Sequence, residues 1–210
     1  MQKIISSFLF ISLIGNLGFG LSLRGIVDKK FNSETDSVYV SLIWSSDESI
    51  TKDSYNYEVG EIINGKFNFE IDKLPHQNVL KVFRGVPIAA AYIIVFKDID
   101  GDKRFTENDK IMGLSEDHVV CYAENNLKES MIAFYKTQKK SEPDQDIFKR
   151  FEKWEKGLNI CKKMNDKKKK RYKKKYGIIH DILIPDNNPE VYIRTSDNFK
   201  KSDIKPPNWT

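Results

Sequence analysis

The chain is poor in the residues that build metal clusters and covalent staples, with two cysteines and three histidines among 210 residues. His76, His118 and His180 stand alone. None has a second histidine four residues on or a cysteine at ligand spacing, so the usual zinc arrangements are excluded. No serine lies in a nucleophile-elbow pattern and no glycine-rich loop opens a helix, which removes the common hydrolase and nucleotide-binding classes. The sequence offers no catalytic set, and a non-enzyme is expected. After the first 20 residues, no stretch approaches the roughly 20 apolar residues needed to span a bilayer.

The start of the chain is different. Met1-Gln-Lys3 is a short basic lead, and an apolar run from Ile4 to Leu17 follows, interrupted by serines, Gly15 and Asn16. Small residues at Gly18, Gly20 and Ser22 fit cleavage after Gly20 or after Ser22. Residues 1–20 therefore read as a signal peptide. The expected location is secreted, periplasmic or cell-envelope, with no integral span once the signal is removed. An Asn208-Trp-Thr210 sequon sits at the end of the chain and matters only in a eukaryotic secretory pathway.

Charge is just as unevenly placed. Residues 162–175 hold ten basic side chains and one acid, Asp166, whereas the whole chain carries +5. Without that segment the balance is −4, so the basic character belongs to one stretch and not to a basic face of the main domain. Like charges repel and favour exposure, which makes the run a solvated helix extension first. Its sharper reading is an adhesive for anionic lipid, acidic glycan or nucleic acid through Lys167, Lys168, Lys169, Lys170, Arg171 and Lys173.

Residues 21–137 read as strands. Val38, Val40 and Leu42 alternate with Tyr39, Ser41 and Ile43, and Phe67, Phe69 and Ile71 alternate with Asn68, Glu70 and Asp72. Asn64-Gly65 between apolar pairs is a hairpin turn. Further strands are expected at 22–27, 79–83, 89–96, 118–123 and 130–135, with 89–96 buried on both faces. The expected fold is mainly β, an antiparallel β-sandwich of immunoglobulin or transthyretin type with one C-terminal amphipathic helix. That helix, at 141–177, starts at Ser141-Glu-Pro-Asp144 and carries an apolar stripe of Ile147, Phe151, Trp154, Leu158 and Cys161 before running into the lysines. Residues 178–210 hold a strand at 191–195 and a polar tail. If the stripe docks on the sandwich, Cys161 faces it and a disulfide with Cys121 is the expectation. Each cysteine reads equally as a small buried apolar residue.

One segment carries chemistry in its spacing. Counting Asp98 as position one, 98–109 places carboxylates at positions 1, 3, 5 and 12: Asp98, Asp100, Asp102 and Asp109. Arg104 at position 7 offers a backbone carbonyl. Calcium takes six to eight hard oxygen ligands, and a short loop supplies them only by turning tightly. Carboxylates converging without a cation would repel. Phe105 is expected to point away from the ion and anchor the loop.

The Asp-x-Asp-Gly-Asp run with its closing Asp109 resembles the loop of dockerin modules and related EF-hand-like repeats. It departs at position 6, where Lys103 replaces the usual glycine, and no amphipathic helix follows. The resemblance implies Ca²⁺ ligands and not a dockerin's partner. Residues 65–72, then Leu74-Pro75, an apolar strand and the Asp-rich loop are similar to bacterial secreted sandwiches of the transthyretin-like or carboxypeptidase-regulatory-like type, over roughly 23–136. Those are mostly structural or binding modules. The functional expectation is thus an exported, calcium-stabilised module with a protein or glycan ligand, the alternative being polyanion binding through the lysine run.

Overall fold

The computed structural model describes residues 20–44, 56–83, 85–106, 108–138, 149, 151–165, 167, 170, 171, 174, 183–187 and 189–199. The described residues include ten strands and two α-helices with both ends described: β1 (Leu21–Val27), α1 (Ser33–Asp36), β2 (Val38–Trp44), β3 (Asn56–Ile63), β4 (Lys66–Ile71), β5 (Lys81–Phe83), β6 (Val86–Lys97), β7 (Lys110–Ala123), α2 (Leu127–Thr137), β8 (Gly157–Lys163), β9 (Leu183–Pro185) and β10 (Val191–Thr195). The fold is mainly β, as the alternating pattern requires.

The strands form one sheet in the order β5-β6-β2-β3-β4-β1-β10-β7-β8-β9, and β6 also pairs with β7. That last pairing closes seven strands into a barrel-like ring, where the sequence had pointed to two packed sheets. The difference has a local cause. β6 and β7 are long and pair from Ile88↔Ala123 down to Lys97↔Lys110. The chain's last described strand, β10, lies parallel to β1 and antiparallel to β7, bridging the gap. Alternation reveals which face of a strand is buried, but not which distant strand will close the ring.

Two cores follow from this closure. Leu23, Val40, Leu42, Ile62, Phe67, Ile93, Met112 and Ile193 belong to the cluster inside the ring, to which every ring strand contributes. On β6 the odd residues Ala89, Ala91, Ile93 and Val95 join that interior, and the even ones Ile88, Ala90, Tyr92, Ile94 and Phe96 join a second cluster outside it. β6 is therefore buried on both faces, as its nearly all-apolar sequence predicts. Leu127 and Met131 of α2, with Trp154 and Phe105, cover the outer cluster.

Local signals explain most boundaries. Asn64 and Gly65 both hold positive φ (51° and 76°), the pair that a two-residue type I′ turn between β3 and β4 needs. Three expectations are corrected. Residues 130–135 lie in helix α2, because Leu127 and Met131, four apart, bury one helical face where a strand would have placed neighbours on opposite sides. The helix expected at 141–177 gives way after Phe151 to a turn and then β8, so Leu158 and Cys161 of the apolar stripe are strand residues. Gly157, with φ of 105°, cannot continue a right-handed helix. Trp154 still packs inward, and its Nε1 donates to the Leu183 carbonyl at 3.3 Å.

Third, Cys121 and Cys161 are free buried thiols. They sit on adjacent strands, but Cys161 is paired with Val119 and Cys121 with Asn159, so the two cysteines are diagonal. As diagonal neighbours they lie further apart than a directly opposed pair, and the two thiols interact without being bonded. Burial above all, and the contact with Cys121, push the Cys161 pKa well above its ordinary value, which keeps that thiol protonated and unreactive. Ile147 and most of 1–20 lie outside the described residues.

Candidate metal centre

The loop 98–109 joins β6 to β7 beside the terminal pair Lys97↔Lys110. Its carboxylates do two jobs. Asp98 is 5% exposed and accepts the Gly101 N–H on Oδ1 at 2.8 Å and the Lys103 N–H on Oδ2 at 3.0 Å. Asp100 accepts the Asp102 N–H, and Asp102 accepts the Arg104 N–H at 2.6 Å. Each aspartate thus winds the next stretch of backbone round itself, which draws alternate side chains to one side. Oxygens of Asp98, Asp100 and Asp102 come within 4.8 Å of one another.

Asp109 plays a different part. It is 4% exposed, accepts the Ile99 N–H on Oδ1 at 2.9 Å, and on Oδ2 accepts both the Thr106 N–H at 2.6 Å and the Thr106 hydroxyl at 3.0 Å. It staples the two ends of the loop together, and the group of carboxylates within 4.8 Å of one another comprises Asp98, Asp100 and Asp102. Thr106 Oγ1 in turn accepts the Asn108 N–H at 3.2 Å. Asp109 reaching back to the Thr106 N–H is the return half of a capping box without its helix, and the Thr-x-x-Asp spacing at 106–109 was the overlooked sequence signal.

Electrostatics around the cluster are unfavourable without a cation. The Asp102 N–H bond holds the Asp100 pKa down, but burial and the charges of Asp102, Asp109 and Asp98 outweigh it and raise the pKa above the usual value. All three donors are carboxylate oxygens, the hard ligands that calcium and magnesium take. Phe105 anchors the loop as expected: it is 9% exposed and meets Phe96 edge to face, with centroids 5.5 Å apart.

Lys103 carries the loop's strain. It has φ of 56°, the left-handed conformation that glycine normally supplies at this position. Its ammonium lies 4.0 Å from Glu61 with both side chains mostly exposed, a contact of little worth. Lys103→Gly should stabilise the protein by about 0.5–1 kcal/mol, left-handed strain relieved less the added entropy of glycine. Urea unfolding would measure this, and a lower midpoint for the variant would show the turn to be unstrained.

Of the basic run, Lys162 and Lys163 end β8. Lys167, Lys170, Arg171 and Lys174 are helical and exposed. Lys168, Lys169 and Lys173 lie outside the described residues. No protein-family model matches this chain, no curated protein is similar to it, and no solved structure matches it. What defines the molecule is its own geometry: a mainly β protein with a closed seven-strand sheet and a self-wound aspartate loop at one end of its longest strand pair.

Proposed function

We propose that this is an exported, non-catalytic module whose 98–109 loop binds calcium as a structural ion, and that it serves as a binding or structural element of the cell envelope. The observation that carries the reading is the convergence of Asp98, Asp100 and Asp102 within 4.8 Å on a backbone already wound by those same carboxylates. In this reading the Arg104 carbonyl and water complete the shell, while Asp109 holds the loop closed. Calcium should raise the melting temperature, since it binds the folded loop and not the open chain; a ligand at a hundred times its Kd adds about 2.7 kcal/mol. Asp98→Ala should abolish the rise. Equal melting temperatures in calcium and in chelator would refute the proposal.

Export rests on the basic-apolar-small order of residues 1–22. β1 begins at Leu21, so a cut after Gly20 leaves it whole, and a cut after Ser22 removes the pairs Leu21↔Ile71 and Ser22↔Glu70. We therefore favour the first position. Among the described residues no helix is long and apolar enough to cross a membrane. The ring is, in our reading, a closed relative of the transthyretin-like sandwich that 23–136 resembles.

A second reading is favoured by one observation. Lys167, Lys170, Arg171 and Lys174 are exposed and spaced as one face of a helix. Such a stripe suits an anionic surface. Replacing Lys167, Lys168, Lys169 and Lys170 with glutamine should weaken retention on heparin and on anionic vesicles at low salt, with the calcium response intact. Unchanged retention would remove this reading.

A further inference from the structure

β7 forks. Along one edge it pairs first with β10, through Gly113↔Thr195 and Ser115↔Ile193, and then with β8, from His118↔Lys162 onward. Glu116 and Asp117 pair with neither strand. Opposite them on β6 the register jumps, with Ile94 facing Leu114 and Tyr92 facing Val119, so β7 bulges outward here. The gap between the diverging strands is a cleft of about 140 Å³, and His118 forms part of its lining.

The lining is an unusual collection of unspent polar groups. Lys162 and Arg194 supply positive charge on two walls, and Glu116, Asp117 and Glu190 supply negative charge. Among the described residues none of these five makes an ion pair or a side-chain hydrogen bond, so the opposite charges face one another across the cleft without meeting. His118 is 5% exposed, yet neither ring nitrogen has a hydrogen-bond partner. Its Nε2 lies 3.5 Å from Asp186 Oδ2, a long polar contact that becomes an ion pair only if the ring is protonated. Burial, helped by Lys162 and opposed by Asp186 and Asp117, lowers its pKa, so the ring is neutral at pH 7 and can both donate and accept. A buried polar group left unpaired is costly and marks a place where a partner is missing.

We infer that this cleft binds a small zwitterion of the free amino-acid type, its carboxylate towards Lys162 and Arg194 and its ammonium towards Glu116, Asp117 and Glu190. A simple anion or cation would meet repulsion from half of the lining, whereas a ligand carrying both charges satisfies both halves. The half-exposed ring of Tyr192 offers the ammonium a face. The volume is well below the roughly 300 Å³ at which pockets for drug-sized ligands begin, which excludes nucleotides and larger cofactors. His118 forms the base of the cleft, its ring nitrogens buried beneath the lining.

Thermal melts of the full chain with free L-amino acids, one at a time at millimolar concentration, test this. At least one should raise the melting temperature by several degrees. Its N-acetyl derivative and its amide, each lacking one charge, should not. Arg194→Gln and Glu190→Gln, both surface changes that leave the unliganded melt unaltered, should each abolish the shift, with the calcium response untouched. His118→Gln should weaken it. No shift from any amino acid would overturn the inference, as would an equal shift from a singly charged derivative or a shift that survives both surface variants.

Discussion

Asp109→Ala is expected to destabilise the protein by about 3 kcal/mol with calcium absent, because it removes charged hydrogen bonds worth roughly 1.5–3 kcal/mol each and strands two backbone donors. Those donors are the Ile99 and Thr106 N–H groups, which close the loop at its base. For a chain of this size the melting temperature should fall by about 6–12 °C. Asp109→Asn should recover part of this, since one amide oxygen can serve only one of the two donors well. The contrast with Asp98 is informative. If Asp109 were chiefly an ion ligand, its removal would matter only with calcium present. A chelator-treated variant as stable as the chelator-treated parent would overturn the stapling role.

Gly113→Ala should cost about 3 kcal/mol, at the upper end of overpacking penalties. A Cβ at this position would stand 2.3 Å from the Arg194 carbonyl, a backbone atom that cannot rotate away. Gly25, across β10 on the other side, is equally crowded by the Val191 carbonyl at 2.2 Å. The strand that closes the ring is thus clasped between two glycines. Hydrogen exchange should show β10 amides, including the Thr195 N–H now held by Asp28 at 3.0 Å, losing protection first. Gly101→Ala is the control, because its φ of 79° meets open space and only the left-handed strain of about 1–2 kcal/mol applies. Equal losses at 101 and 113 would show that close packing of β10 is not what the glycine serves.

Much of this fold could be read from the sequence, for reasons that differ by element. β4 and β10 alternate because one face of each lines the ring, whereas β2 and β6 are buried throughout because the outer cluster covers their second face. Asn64-Gly65 set a hairpin through backbone conformation alone. What could not be read was long-range. Closure depends on a parallel pairing of Gly25 with Val191, far apart in the chain, and local pattern carries no trace of it. The apolar stripe at 147–161 was ambiguous for a related reason: Trp154, Leu158 and Cys161 are buried by strand and turn geometry at spacings that also suit a helix. In the loop, ligand spacing identified Asp98, Asp100 and Asp102, but the same spacing hid that Asp109 already holds three hydrogen bonds. The cleft at His118 was invisible, because it is assembled from residues of β7, β8 and β10, and each looks isolated in sequence.

Equilibrium dialysis against radiolabelled calcium at neutral pH tests the central claim most directly. The parent chain should retain about one ion per molecule, the stoichiometry of a single oxygen-lined loop, with magnesium a poor competitor. Asp98→Ala should retain none above background, while Lys103→Gly should bind at least as well as the parent. Retention by the parent no greater than that of Asp98→Ala would contradict the account and leave the 98–109 loop as a turn held by its own hydrogen bonds alone.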